Sequence, residues 1–229
     1  MTPRAVGLVA TILAISGCTI QTYPDTPPPP PPRRPPPAAA TAEPARPATP
    51  RKPGIFRPGA APAPGSETAP RIGGTIPFGS GTTNAFRGLA YVVPDNTTKL
   101  PDFTQLTPFA TLYTDRFDVS SQNFTQGFPG ALAGQVEWFG IRYDGRFAVA
   151  TDGNWQFKLV SDDGAVLYVD GAKVVDNDGV HTATAGTGMA QLKAGPHALR
   201  LDYFQAKGPV ALQLFLLVDG RESLLVGTR

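Results

Sequence analysis

The stretch Ser161-Asp162-Asp163-Gly164 sets two carboxylates side by side between two apolar runs, WQFKLV and AVLYV. A turn between strands needs one Asp or Asn and a Gly. The second acid therefore has two readings. In one, an Asp caps backbone amides and its neighbour is incidental. In the other, both acids supply hard oxygen ligands to a cation of the calcium type. Neighbouring side chains on an extended strand point to opposite faces, so one ion can hold both only if the backbone between them departs from an ordinary strand.

The remaining chemistry-bearing residues point less sharply. Asp176-Asn177-Asp178-Gly179 is acidic, but it lacks the spacing and the terminal Glu of a calcium-binding helix-loop-helix. It reads as a connection between strands. His181 and His197 stand alone, with no cysteine or paired histidine that would make a zinc set. Trp138 and Trp155 could stack on a sugar, but strand alternation assigns them to the core. No nucleophile elbow, zinc-binding helix or phosphate loop is present, so an enzyme is not expected.

The elements that must position these groups are short strands. Runs rich in β-branched and aromatic residues alternate with Gly, Asp, Asn and Pro from about Phe86 onward. LAYVV and FATLYTDRF are candidate strands. In VEWFGIRYDGRFAV, Asp144-Gly145 reads as a hairpin turn between two more. In WQFKLV, Trp155, Phe157 and Leu159 face one way and Gln156 and Lys158 the other. Asp170-Gly171 reads as the turn of a second hairpin. HALRLDYF puts His197, Leu199, Leu201 and Tyr203 on one face, with Arg200 and Asp202 opposite. VALQLFLLV reads as a strand buried on both sides. No helical period is sustained. The pattern predicts an all-β, antiparallel β-sandwich of jelly-roll type over residues 86–229.

Composition divides the rest. Nineteen of the 26 prolines lie between Pro24 and Pro77. Residues 18–85 read as a proline-rich, disordered tether and hinge, the Gly-rich stretch Arg71 to Asn84 forming the hinge. At about 3.1 Å per residue, some 55–60 residues of polyproline II reach at most on the order of 150–180 Å. The tether carries seven Arg or Lys against three acids, whereas the chain from Ile76 carries twelve against fifteen. The basic residues of the domain do not cluster, which argues against a nucleic-acid partner. The tether's arginines read as a solvated spacer, with contact to anionic lipid or cell-wall polymer the other reading.

Residues 1–17 read as a signal peptide: Arg4, then an apolar run from Ala5 to Ile15 too short to span a bilayer. Ile15-Ser16-Gly17-Cys18 resembles the lipobox of bacterial lipoproteins. That resemblance implies lipid attachment at Cys18, the single cysteine of the chain, and a membrane partner through the anchor. Thr19, in place of Asp, implies the outer rather than the inner membrane of the cell envelope.

The order Tyr143-Asp144-Gly145, Ser161 to Gly171, Gly195 with His197, and Tyr203-Phe204-Gln205 resembles the PA fourteen domain, named for anthrax protective antigen. The resemblance covers roughly Leu89 to Val218. It implies a jelly-roll-like sandwich. It also implies that Asp162 and Asp163, joined by a cis peptide bond, bind calcium, which in turn holds sugar hydroxyls. Gln205 matches a further metal ligand through its side-chain carbonyl, and Lys207 lies in the ligand-binding loop. That loop, Gln205 to Pro209, is shorter than in flocculins, and Lys207 beside a cation is not helpful to it. The sequence thus leads to an envelope protein displaying a calcium-dependent carbohydrate-binding module. Its alternative is a structural or protein-binding module in which the acids are turn chemistry.

Overall fold

A computed structural model describes residues 69–229. The signal segment 1–17, Cys18 and most of the tether lie outside the described residues. Among the described residues the only helical element is one 3-10 turn, Phe103–Gln105. No described helix is long and apolar enough to cross a membrane.

Thirteen strands follow in order. They are β1 (Thr75–Ile76), β2 (Gly79–Ser80), β3 (Phe86–Val92), β4 (Ala110–Thr114), β5 (Asp118–Gln122), β6 (Phe139–Val149) and β7 (Gly153–Asp162). Then come β8 (Ala165–Val169), β9 (Ala172–Asn177), β10 (Thr184–Leu192), β11 (Gly195–Gln205), β12 (Val210–Val218) and β13 (Arg221–Leu224). One sheet has eight strands in the order β1-β2-β4-β3-β6-β11-β8-β9. The other runs β10-β7-β12-β13, with β5 pairing β12 beside β13's stretch. Every strand pairing is antiparallel. The expected sandwich is therefore what forms.

Alternation builds the core. On β11, His197, Leu199, Leu201 and Tyr203 are buried, as the sequence predicts, and on β7 so are Phe157 and Leu159. Trp155 packs partly buried against the core, also as expected. Between the sheets, Phe78 meets Phe124, Phe139 and Tyr203 at ring-centroid distances of 5.4, 5.5 and 5.4 Å. Aromatic rings bury large apolar area in favoured edge-on or tilted geometries, so this cluster is a principal source of stability. Asp170 and Gly171, at φ of 50° and 83°, make the tight β8–β9 turn, and Val169 pairs with Ala172 across it.

Three local expectations change. Asp144-Gly145 is not a turn. It lies within the continuous strand β6, where Gly145 pairs with both Phe86 and Leu199. A β-carbon there would come 2.5 Å from the Ala85 carbonyl oxygen, so glycine serves close strand approach. The Gly-rich stretch 71–84 does not stand apart as a hinge. It supplies β1 and β2 and buries Ile72, Ile76 and Phe78, and the Tyr143 hydroxyl donates to the Phe78 carbonyl at 2.7 Å. Strand β12 is fully covered only toward its start, Val210 to Leu212, and grows more exposed toward Val218.

Candidate functional site

SDDG is not a hairpin turn. Strand β7 ends at Asp162 in the smaller sheet, and β8 begins at Ala165 in the larger one. Asp163 and Gly164 carry the chain from one layer to the other. Little room is left there: a β-carbon on Gly164 would lie 2.4 Å from Phe204 Cε1 and 2.8 Å from the Gly179 nitrogen. The Asp162–Asp163 peptide bond is cis, the arrangement implied by the family resemblance.

Both acids are buried, Asp162 5% and Asp163 3% exposed. Asp163 is held from two loops. Its Oδ1 accepts the His181 amide at 3.1 Å and its Oδ2 accepts the Ala206 amide at 2.7 Å. Burial holds its carboxyl above the usual Asp value, against the pull of the Ala206, His181 and Lys207 amides. Burial, and then the neighbouring Asp163 carboxylate, raises Asp162 as well, against the Ala183 amide. Among the described residues neither acid forms an ion pair with Lys or Arg. The one cationic influence on the pair is the His181 imidazole, and two adjacent buried carboxylates without a Lys or Arg partner are costly when both are ionised.

Gln205 is linked through Tyr203 to the backbone of Asp162 rather than to its carboxylate. It ends β11 fully buried. The Tyr203 hydroxyl lies 2.7 Å from the Asp162 carbonyl oxygen and 2.8 Å from Gln205 Oε1. One hydroxyl proton faces two acceptors. The Gln205 Nε2 donates to the Pro209 carbonyl at 3.1 Å and points at that of Gly208 at 3.5 Å. The chain around the acids is thus rich in oxygen: two carboxylates, an amide, and the carbonyls of Gly208 and Pro209. Among the described residues no group of three or more His, Cys, Asp or Glu gathers to hold a metal. A cation at the pair would have to complete its shell with neutral oxygens and water, which suits a hard ion of the calcium type.

The other candidates sort clearly. Asp178 accepts the Leu100 amide at 2.8 Å and so ties the loop after β3 to the connection between β9 and β10. Both ring nitrogens of His181 face carbonyls, of Thr182 and Asn177, each at 3.0 Å. His197 sits between Asp170 and the Lys193 carbonyl, 2.7 Å from each. Neither histidine offers a nitrogen to zinc.

Trp138 departs from its expected place in the core. It sits just before β6 with φ of 54°, an unusual conformation for a bulky residue. Its amide donates to the Ala206 carbonyl and its carbonyl accepts the Val93 amide, at 3.0 and 2.9 Å. Its ring lines a cavity of about 310 Å³ together with Asn96, Thr97, Thr98, Ala206 and Lys207. Lys207 Nζ lies 5.6 Å from the Trp138 ring centroid, within cation–π range. Alternation along the strand gave no signal for this placement, because Trp138 precedes the strand and its side chain follows the loop.

Comparison with curated proteins returns no match. Solved structures share the fold at low identity. The PA14 sugar-binding domain from an RTX adhesin is 17% identical with a TM-score of 0.52, over 65% of this chain and 100% of that one. The PA14 domain of the MpAFP antifreeze protein is 20% identical with a TM-score of 0.51, over 62% and 86%. An anti-sigma factor domain-containing protein is 19% identical with a TM-score of 0.50, over 62% of this chain, which spans only 45% of that one. A family model described as "PA14 domain" matches residues 88–219, more than half of the chain. The chain belongs to the PA14 domain family.

Proposed function

We propose that the domain is a carbohydrate-binding module that uses calcium held at Asp162 and Asp163. The observation that carries this reading is the pair itself: adjacent, buried and, among the described residues, without a Lys or Arg partner. A divalent cation is the partner that offsets their repulsion and desolvation. Asp162 and Asp163 would hold it, with Gln205 and loop carbonyls as neutral donors. Gln205 fits if its amide is turned over. Nε2 then donates to the Tyr203 oxygen, the Tyr203 proton goes to the Asp162 carbonyl, and Oε1 faces the Gly208 and Pro209 carbonyls. A cation lying among these three oxygens would stabilise that orientation over the present one, in which Nε2 donates to Pro209. Bound calcium supplies ligand positions that sugar hydroxyls can fill, and this chain's own residues set where the sugar lies. The sugar-binding RTX adhesin domain of the same family and fold supports the ligand class.

A second reading has its own observation. Both Asp163 oxygens already accept backbone amides, so the pair could serve only to clasp two loops in a structural or protein-binding module. A glycan array probed with the full chain, with and without chelator, separates the two. Calcium-dependent signal supports the first, and a blank array with calcium present supports the second.

The context we propose is a bacterial envelope protein anchored by lipid at Cys18, at the outer membrane, with the domain on a proline-rich spacer. Labelling cells with a tagged fatty acid tests it: the wild-type chain takes the label and Cys18→Ser does not. Labelling of both overturns the anchor. The module is read as a binding protein rather than an enzyme.

A further inference from the structure

The cavity beside the acid pair carries a charge that a neutral sugar does not need. Of the residues lining its 310 Å³, Lys207 alone is charged. That size is at the lower end of small-ligand sites and suits one sugar ring. Among the described residues Lys207 forms no ion pair with an acid. Its ammonium instead rests over the Trp138 ring. The residue is exposed, yet its backbone amide is one of those that face the Asp163 carboxylate. The ammonium is therefore carried within one residue's reach of the candidate cation site.

We infer that this cavity selects a carboxylated saccharide of the hexuronic acid class over its neutral counterpart. The inference rests on the calcium-dependent sugar reading. A divalent cation on the acids neutralises their two charges and leaves the Lys207 ammonium as the uncompensated charge of the rim, and an anion is the ligand that complements it. A uronate carboxylate gives a charge-assisted hydrogen bond to the ammonium. As the ammonium leaves the Trp138 ring for the carboxylate, the indole face is freed for the apolar face of the sugar ring. Asn96, Thr97 and Thr98 offer an amide and hydroxyls to the remaining sugar hydroxyls. With the acids unfilled the same rim carries two buried carboxylates and repels the ligand, so uronate binding requires calcium.

The test uses the full chain at fixed free calcium. Calorimetry compares methyl glucuronide with methyl glucoside, and methyl galacturonide with methyl galactoside. One uronate is expected to bind about tenfold or more tightly than its neutral partner, the scale of one charge-assisted hydrogen bond. Lys207→Gln is expected to bring that ratio to about one, whereas a merely structural role for Lys207 would leave the ratio unchanged. Equal affinities within both pairs, or a preference that survives Lys207→Gln, overturns the inference while leaving the sugar reading intact. A glycan array blank for neutral and acidic saccharides alike, with calcium present, overturns both.

Discussion

Asp163 and Ala206 lie 43 residues apart in the chain, yet the carboxylate of one accepts the amide of the other at 2.7 Å. Through this bond the crossover between the sheets is fastened to the loop that follows β11. The same carboxylate holds the His181 amide, so one side chain gathers three segments. A group placed this way can organise a ligand site, hold loops in place, or do both. The two neighbouring acids differ in how much of each they do.

That difference can be measured without metal. Asp163→Asn leaves one oxygen for the His181, Ala206 and Lys207 amides and is expected to cost about 1–3 kcal/mol, as for a buried unsatisfied group. Asp162→Asn keeps an oxygen for the Ala183 amide and removes a buried charge facing Asp163. In calcium-free buffer near neutral pH it is expected to raise the urea midpoint. A loss of stability in Asp162→Asn equal to that in Asp163→Asn would show that repulsion between the carboxylates is unimportant.

The acid pair also predicts a pH dependence. Both carboxyls are held above the ordinary Asp value of 3.8. Between that value and the raised one, the folded chain binds more protons than the unfolded chain. Calcium-free stability therefore falls as pH rises through that window. Calcium competes with those protons, so its affinity is expected to weaken on acidification while pH is still above 3.8. A calcium affinity flat from neutral pH down to 3.8 contradicts the raised carboxyls.

Gly164 is fixed by space. Alanine there must push Phe204, itself buried, or the Gly179 backbone. Overpacking of this kind costs about 1–3 kcal/mol, and each kcal/mol lowers Tm by about 2–4 °C for a domain of this size. A Gly164→Ala chain that melts like the wild type would mean the crossover yields freely.

The far end of the sandwich holds a second titrating group. A neutral imidazole donates only once, yet both nitrogens of His197 face acceptors at 2.7 Å. Burial alone would lower its pKa, but the Asp170 carboxylate and the Lys193 carbonyl together raise it above 6.5. The raised pKa stabilises the fold fully below 6.5, and this contribution is lost as pH rises through the folded value. Asp170→Asn tolerates the positive φ of the turn and keeps an oxygen for the Ala198 amide. It is expected to return the His197 titration, read by NMR, to or below 6.5.

Much of this arrangement was legible in the residues. Strand β11 announces its inner face through His197, Leu199, Leu201 and Tyr203 because a two-residue period survives wherever one face is buried. Asp170-Gly171 is read correctly because its flanking strands pair across it. The same dipeptide chemistry misleads at Asp144-Gly145, where the glycine answers to Phe86 on the neighbouring strand rather than to a turn. SDDG is ambiguous for a related reason. Two residues between strands can reverse the chain or carry it to another sheet, and only distant partners decide. In 71–84, glycines mask a core contribution made by Ile72, Ile76 and Phe78. The clasp of Asp163 runs through backbone amides of His181 and Ala206, which any residue but proline could supply, so no side-chain pattern reveals it.

Whether Asp162 and Asp163 hold calcium is decided by calorimetric titration of the full chain with calcium. One saturable site per chain is expected, with calcium protecting the chain from proteolysis and heat, and the site is lost in both Asp162→Asn and Asp163→Asn. Absence of any binding heat and of any calcium-dependent shift in Tm, at calcium concentrations up to about the millimolar range of extracellular sites, contradicts it.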